Sequence, residues 1–174
     1  MSLEQIIIRE ECADDVEAIR EVNEKAFGQS EESRIVETLR LNAGILLSLV
    51  ATLKDRVIGH ILYSPVSIST NGDKIIGAGL GPMAVLPEYQ RQGIGSKLIE
   101  NGNKILQESG FPFIVVLGHP EYYPRFGFKP ASHYAIKCEW DVPDDVFMIL
   151  VNDQSKLEGV SGLAKYRQEF SSVA

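Results

Sequence analysis

Val85-Leu86-Pro87-Glu88-Tyr89-Gln90-Arg91-Gln92-Gly93-Ile94-Gly95-Ser96 is the stretch on which the reading of this chain turns. Met83 and Ala84 precede it, so an apolar strand end runs into a polar, basic loop and then into two glycines. Beyond them Ile94, Leu98, Ile99, Ile105 and Leu106 mark one face of a helix ending near Gly110. A helix that opens here presents backbone N–H groups without intrahelical acceptors, together with the positive end of its dipole. Such a place binds phosphate oxygens. Gly93 and Gly95 let the backbone approach closely, because no Cβ stands in the way. A dinucleotide fingerprint would need a third glycine, and Gly93-Ile94-Gly95 is followed by Ser96-Lys97-Leu98. A phosphate loop of the Walker type would need lysine before the hydroxyl residue, whereas Ser96 precedes Lys97. Local spacing leaves a second reading open, a helix start whose glycines only permit a tight turn.

Elsewhere strands and helices alternate. Ile6-Ile7-Ile8 reads as a short β-branched strand. Asp14 or Asp15 is placed to cap a helix with the stripe Val16, Ile19, Val22 and Ala26. Ser30 with Glu31 and Glu32 opens a second helix carrying Ile35, Val36 and Leu39. Residues 46–53 and 57–68 read as strands around the turn Lys54-Asp55-Arg56, and Asn71-Gly72 closes another hairpin. Residues 75–85 and Phe113–Leu117 read as further strands, and 160–166 as a final one before a loose end. The strand over 75–85 contains Gly77, Gly79, Gly81 and Pro82, residues that weaken a ladder. Either it bulges at a sheet bend, or it parts from the 113–117 strand near its C-terminal end and leaves backbone groups in need of partners.

Composition sets the class. A chain of 174 residues with 44% hydrophobic and 24% charged residues suits one globular domain with a real core. Its 24 acids against 17 bases give a formal charge of −7, a field that repels nucleic acid and favours cationic partners. Cys12 and Cys138 stand alone, with no zinc spacing and no disulfide framework, as in a reducing compartment. No segment has a signal-peptide pattern or the roughly 18 apolar residues of a membrane span. The expectation is a cytoplasmic protein without a metal, binding neither nucleic acid nor membrane. Oligomeric state stays open, with a homodimer among the options.

Gln90-Arg91-Gln92-Gly93-Ile94-Gly95 after Val85 and Pro87 resembles the coenzyme A pyrophosphate loop of the GNAT N-acetyltransferase superfamily. About thirty residues on, Tyr123-Pro124-Arg125-Phe126-Gly127-Phe128 resembles its second signature, a tyrosine four residues before a Gly-Phe pair. Ser48-Leu49-Val50-Ala51, Val57-Ile58-Gly59-His60-Ile61 followed by Ser64-Pro65-Val66, and Gly118-His119-Pro120-Glu121-Tyr122-Tyr123 resemble the YhbS-like branch. The resemblance runs from Ile8-Arg9 to about Tyr166. It implies an α/β fold over residues 4–170: a mixed, mostly antiparallel central sheet with a splayed strand pair and helices on both faces. Residues 1–3 are set aside as a cloning remnant and 171–174 as a tail.

The activity that the resemblance implies is transfer of an acetyl group from acetyl-CoA to an amine, on a small molecule or a protein. Met83, Ala84, Val85, Gln90, Arg91, Gln92, Gly93, Ile94, Gly95, Ser96, Leu117, Gly118 and Tyr122 are the positions that would line the coenzyme. A backbone N–H around residues 83–85 would meet the oxyanion, an effect worth roughly 3–4 kcal/mol in other sites. Tyr123 matches the general acid that protonates the departing thiolate, with Tyr122 its confounder. Arg125 is a surface charge or a phosphate contact. Residues 75–85 lack the carboxylate that many relatives use as base. His60 is the local candidate, with a hydrogen-bonded core histidine as the other reading. Glu31 and Glu32 are candidates for the substrate mouth, or ordinary first-turn acids. Two rival functions share these residues, a non-catalytic acyl-CoA sensor and a transferase of longer acyl groups.

Overall fold

The computed structural model describes residues 2–172, so Met1 and residues 173–174 of the expected tail lie outside it. The strand order is β1 (Ile6–Glu10), β2 (Leu47–Leu53), β3 (Arg56–Thr70), β4 (Asp73–Val85), β5 (Phe113–Leu117), β8 (Phe147–Val151) and β6 (Lys129–Pro130), with β9 (Gly162–Lys165) pairing both β3 and β7 (Ile136–Cys138). β4–β5 and β7–β9 run parallel, and the other registered pairs run antiparallel. This is the mixed, mostly antiparallel sheet that was expected. The chain gathers into two packing units, one holding residues up to Tyr63 with Gly81–Gly102, the other Ser64–Leu80 with Asn103–Ser172.

In the first unit β1 (Ile6–Glu10) pairs with β2 (Leu47–Leu53), and β2 with β3 (Arg56–Thr70). The β2–β3 turn puts Lys54 and Asp55 at positive φ, 49° and 65°, the mirror-image geometry that matches strand twist. α1 (Val16–Phe27) buries Ile19, Val22 and Asn23, and α2 (Glu31–Leu41) buries Ile35, Val36 and Leu39. Asp15 does not cap α1 with its side chain. Its carboxylate instead accepts from the Cys12 N–H at 2.8 Å and from both terminal nitrogens of Arg9 at 2.7 and 3.0 Å. The β-bulge between Ala51 and Thr52 lies beside Gly59 of β3. A Cβ built on Gly59 would sit 3.2–3.3 Å from Leu98, Ala51 and Ile94. The small residues Ala51 and Gly59 therefore let α3 (Ile94–Glu108) settle close on the sheet. That close approach fixes where the first turn of α3 points.

In the second unit β4 (Asp73–Val85) runs parallel to β5 (Phe113–Leu117), and β5 antiparallel to β8 (Phe147–Val151). β8 pairs with β6 (Lys129–Pro130), and β7 (Ile136–Cys138) with β9 (Gly162–Lys165). α4 (Gln154–Leu157) is a single turn. Val66, Ile68, Phe113, Val115, Ile136, Phe147 and Ile149 make the core here. The glycines of β4 have a packing reason that the sequence reading lacked. A Cβ on Gly77 would fall 2.5 Å from the Phe113 ring, and one on Gly79 would fall 2.7 Å from Val66 and 2.8 Å from the Tyr166 ring. The registered β4–β5 pairs end at Leu80↔Val116, while β4 itself continues to Val85.

Candidate functional site

The loop after β4 is built by its own polar residues. The Leu86 N–H donates to the Ile58 carbonyl at 2.9 Å, tying the strand exit to β3. Pro87–Tyr89 forms a 3-10 turn with proline at its start. Gln90 reaches back, its side-chain amide donating to the Val85 carbonyl at 2.9 Å, and Gln92 does likewise to the Glu88 carbonyl at 3.3 Å. Arg91 and Gly93 take left-handed φ values of 61° and 86°. For glycine this is free; for arginine it is a strained choice. The Gly93 carbonyl accepts from Lys97 at 3.1 Å as the first link of α3. Ile94 and Gly95 thus open the first turn of α3, where a helix supplies no intrahelical acceptors for its N–H groups. Arg91, Gln92 and Gly93 are exposed, while Ile94 and Leu98 are buried anchors. Met83, Ala84 and Val85 lead into the loop, with Ala84 and Val85 buried.

One neighbour of the loop was absent from the sequence reading. A Leu3 methyl lies 3.2 Å from where a Cβ on Gly93 would be. The Lys97 ammonium donates to the carbonyls of Leu3 at 3.1 Å and Ile6 at 3.5 Å. The N-terminal 3-10 turn Leu3–Gln5 is therefore packed against the loop.

The second signature lies in the second unit. The Gly118 N–H donates to the Val146 carbonyl at 3.0 Å, directly after the exposed end of β5 at Leu117. The chain turns at His119, whose carbonyl accepts from Tyr122 at 3.1 Å and Tyr123 at 3.4 Å. Tyr123–Phe126 is a 3-10 turn closed by Gly127 at φ 92°. Tyr123 is buried, 7% exposed, and its ring occupies the space where a side chain on Gly118 would stand. It meets the rings of Tyr122 and Phe128 edge-on at 5.1 and 5.7 Å. Burial first, then the neighbouring Tyr122, pushes the Tyr123 hydroxyl well above the usual phenol range, so it stays protonated at neutral pH. Arg125 lays its guanidinium over the Tyr122 ring, 4.5 Å from the centroid. The two tyrosines differ in direction as expected: Tyr123 points into the unit, and Tyr122 carries the arginine.

The family whose model matches this chain is described as an acetyltransferase (GNAT) domain, and it aligns over residues 8–131. The chain belongs to the GNAT N-acetyltransferase family. Within it, the uncharacterized N-acetyltransferase YhbS of Escherichia coli K12 is 33% identical over 167 residues, 95% of this chain and 99% of that protein. A crystal structure of YhbS from Escherichia coli in complex with CoA superposes with a TM-score of 0.91 at 32% identity, covering 98% of this chain and 94% of that one. A GNAT family acetyltransferase from Brucella melitensis, solved in complex with acetyl-CoA, superposes with a TM-score of 0.78 at 36% identity, over 95% and 97% of the two chains. The YhbS-like placement read from the sequence therefore holds, and the protein is an N-acetyltransferase by family.

Set against the GNAT pattern, His60 has the surroundings of a core residue. It is fully buried, with Nε2 2.9 Å from the Ser48 hydroxyl and Nδ1 3.1 Å from the Asn23 amide nitrogen. The amide donates to Nδ1, which leaves Nε2–H to donate to Ser48. Both ring nitrogens are engaged, and burial, with Arg40 nearby, lowers the pKa to about 3. Such a group has no open nitrogen for a substrate proton. Ser48 and Asn23 are the partners that sequence could not supply, since Asn23 sits on a helix stripe and Ser48 inside an apolar strand. Glu31 and Glu32 are gathered by Gln29, whose amide donates to them at 3.3 and 3.0 Å. Among the described residues no group of three or more His, Cys, Asp or Glu could hold a metal ion, and no helix is long and apolar enough to cross a membrane.

Proposed function

We propose that this GNAT enzyme takes acetyl-CoA as donor and acetylates an amine by direct attack. The observation that carries the reading is the left-handed turn at Arg91 and Gly93 delivering a set of backbone N–H groups at the start of α3. Two similar proteins, solved with CoA and with acetyl-CoA, support it. The loop over 90–96 holds the pyrophosphate. In this reading Met83, Ala84 and Val85 are assigned to the coenzyme's thioester end, and Leu117, Gly118 and Tyr122 are assigned to the coenzyme as well. The amine attacks in its neutral form, the C–N bond forms, the C–S bond breaks, and Tyr123 gives its proton to the sulfur. His60 is assigned a structural part, and the amine sheds its proton to solvent. Glu31 and Glu32 belong to the acceptor side in this reading.

The test is release of free thiol from acetyl-CoA across a panel of small amines and lysine peptides. Thiol release that depends on one class of amine, with the acetylated product seen by mass spectrometry, is the expected result. Tight coenzyme binding with no amine-dependent release from any acceptor would defeat the catalytic reading of these residues.

A further inference from the structure

The second unit has a cavity that the proposed coenzyme and proton donor leave unused. Its volume is about 310 Å³, at the small end of the roughly 300–1,000 Å³ usual for small-molecule sites. Ile136, Trp140 and Phe147 are among the residues that line it. Ile136 and Phe147 also belong to the core of this unit, so that part of the wall is fixed. Trp140 packs against the Tyr166 ring at 5.1 Å, and the Tyr166 N–H donates to the neighbouring Glu139 carboxylate at 2.8 Å. Further along the same loop the Val146 N–H donates to the Pro143 carbonyl at 3.3 Å. A wall held before the ligand arrives has little freedom to lose on binding.

Charge decides what the cavity would take. Asp141 and Asp144 line it, against one base, Lys137. Asp144 accepts from the Ser132 hydroxyl at 2.8 Å. Among the described residues no ion pair neutralises Asp141, Asp144 or Lys137. Two carboxylates against one ammonium favour a cation, and an indole face attracts one too. The combination fits an ammonium carried on an apolar body. An anion would be repelled, and a ligand without an apolar part would leave the wall uncovered.

Position decides what such a ligand would be for. Phe147 stands directly opposite Leu117 in the antiparallel β5–β8 ladder. Opposed residues share one face of the sheet, with Cβ atoms about 4.5–5.5 Å apart. The Gly118 N–H donates to the carbonyl of Val146, the residue before Phe147, at 3.0 Å. Leu117 and Gly118 are among the residues assigned to the coenzyme, and Leu117 is 36% exposed. A molecule lying against Phe147 is therefore a neighbour of that part of β5.

We propose that this cavity is the acceptor site, and that the acceptor is a small primary amine on an aromatic or other apolar body. The proposal rests on the reading of the chain as an amine acetyltransferase with Leu117 and Gly118 beside the coenzyme. The apolar body lies against Trp140 and Phe147, and Asp141 and Asp144 draw the ammonium. The ammonium gives one proton to solvent. The neutral nitrogen then forms the C–N bond as the C–S bond breaks, and the second proton it loses balances the one taken up by the thiolate. The amide product is neutral and no longer answers the two carboxylates, which favours its release.

The experiment uses two reporters inside the cavity. Trp140 is the single tryptophan of the chain, and Cys138 lines the same space. Cys12, which is exposed, is the reference thiol. The full chain is titrated with 2-phenylethylamine and with 2-phenylethanol, which keeps the body and lacks the charge, with and without acetyl-CoA. The amine should change Trp140 fluorescence saturably and slow labelling of Cys138 by N-ethylmaleimide, leaving Cys12 unaffected. The midpoint of both effects should match the KM for its acetylation, and the alcohol should bind more weakly. Asp144→Asn keeps an oxygen to accept from Ser132, so it spares the fold. Combined with Asp141→Asn it should raise the amine KM roughly 3–10-fold at low salt, with little effect on kcat. Acetylation of amines or lysine peptides that leaves Trp140 and Cys138 unmoved overturns the assignment and leaves the acetyltransferase reading standing. So does a KM that ignores the cavity pair and follows Glu31→Gln with Glu32→Gln. Equal affinity for amine and alcohol overturns the choice of a cation. A response at Trp140 and Cys138 with no amine-dependent thiol release from any acceptor overturns both readings.

Discussion

A histidine held between Ser48 and Asn23 has consequences that a solvent-exposed one lacks. Its folded pKa is about 3, against about 6.5 in the unfolded chain. Between those values the unfolded chain binds a proton at His60 that the native state refuses, so acidification favours unfolding across that window. The contribution is complete above about pH 6.5 and fades as the pH falls toward 3. Replacing His60 with Gln should reduce stability at pH 7 by about 1–3 kcal/mol, because Ser48 and Asn23 lose their partner. The same variant should lose stability less steeply from pH 6.5 to 4 in urea titrations. An acidic limb of kcat/KM that disappears in His60→Gln would instead restore the histidine as base. Burial keeps Tyr123 neutral as well, and in the proposed mechanism that neutral form is the one that gives up a proton. Tyr123→Phe keeps the ring against Gly118 and Phe128. Coenzyme affinity measured by calorimetry should stay within a few-fold, while kcat falls roughly 10²–10⁴. If Tyr123→Phe turns over normally and Tyr122→Phe is dead, the neighbouring tyrosine is the donor.

At the scale of elements, the exit of β4 and the first turn of α3 form one device. Gly93 has φ 86° and Leu3 lies against it, so a branched side chain there meets both backbone strain and a neighbour. Gly93→Val should weaken coenzyme binding at least tenfold, about 1.4 kcal/mol, with the far-ultraviolet circular dichroism unchanged. Unaltered affinity in the folded variant would take the pyrophosphate away from this loop. The loop was readable in the sequence because its parts are local: a strand, a turn, two glycines and a helical stripe within one short stretch. The two hairpin turns and α1 to α3 were readable for the same reason. What escaped was set by contacts distant in sequence. Gly77 and Gly79 looked like weak points in a strand, but they make room for Phe113 and Tyr166. Phe147–Val151 is an apolar run that could have been read as a strand, and it pairs with β5 along its length. β6 and β7 are too short to carry a period. The direction of Asp15 toward Arg9, and the enclosure of His60 and Tyr166, depend on partners that no spacing rule supplies.

At the scale of the whole molecule the relevant quantity is charge. The formal charge is −7, yet the coenzyme proposed for the loop is a polyanion. Local N–H groups must therefore outweigh a repulsive field, and the field is free to favour the other substrate. Glu31 and Glu32 at the start of α2, gathered by Gln29, are the acids through which that preference is proposed to act. A cationic acceptor should then show a KM that rises with ionic strength, because the screening length falls from about 10 Å at 0.1 M salt to about 3 Å at 1 M. Coenzyme affinity should move the other way or stay level, since screening weakens the repulsion it meets. Glu31→Gln with Glu32→Gln should raise the acceptor KM at low salt and flatten its salt dependence, with kcat unchanged. The magnitude is modest, a few-fold, because these are surface charges in high dielectric. Steady-state kinetics at several salt concentrations, with both substrates varied, separates the two trends. A best acceptor that is neutral or anionic, with a KM indifferent to salt, would reduce the acidic balance to a property of the surface.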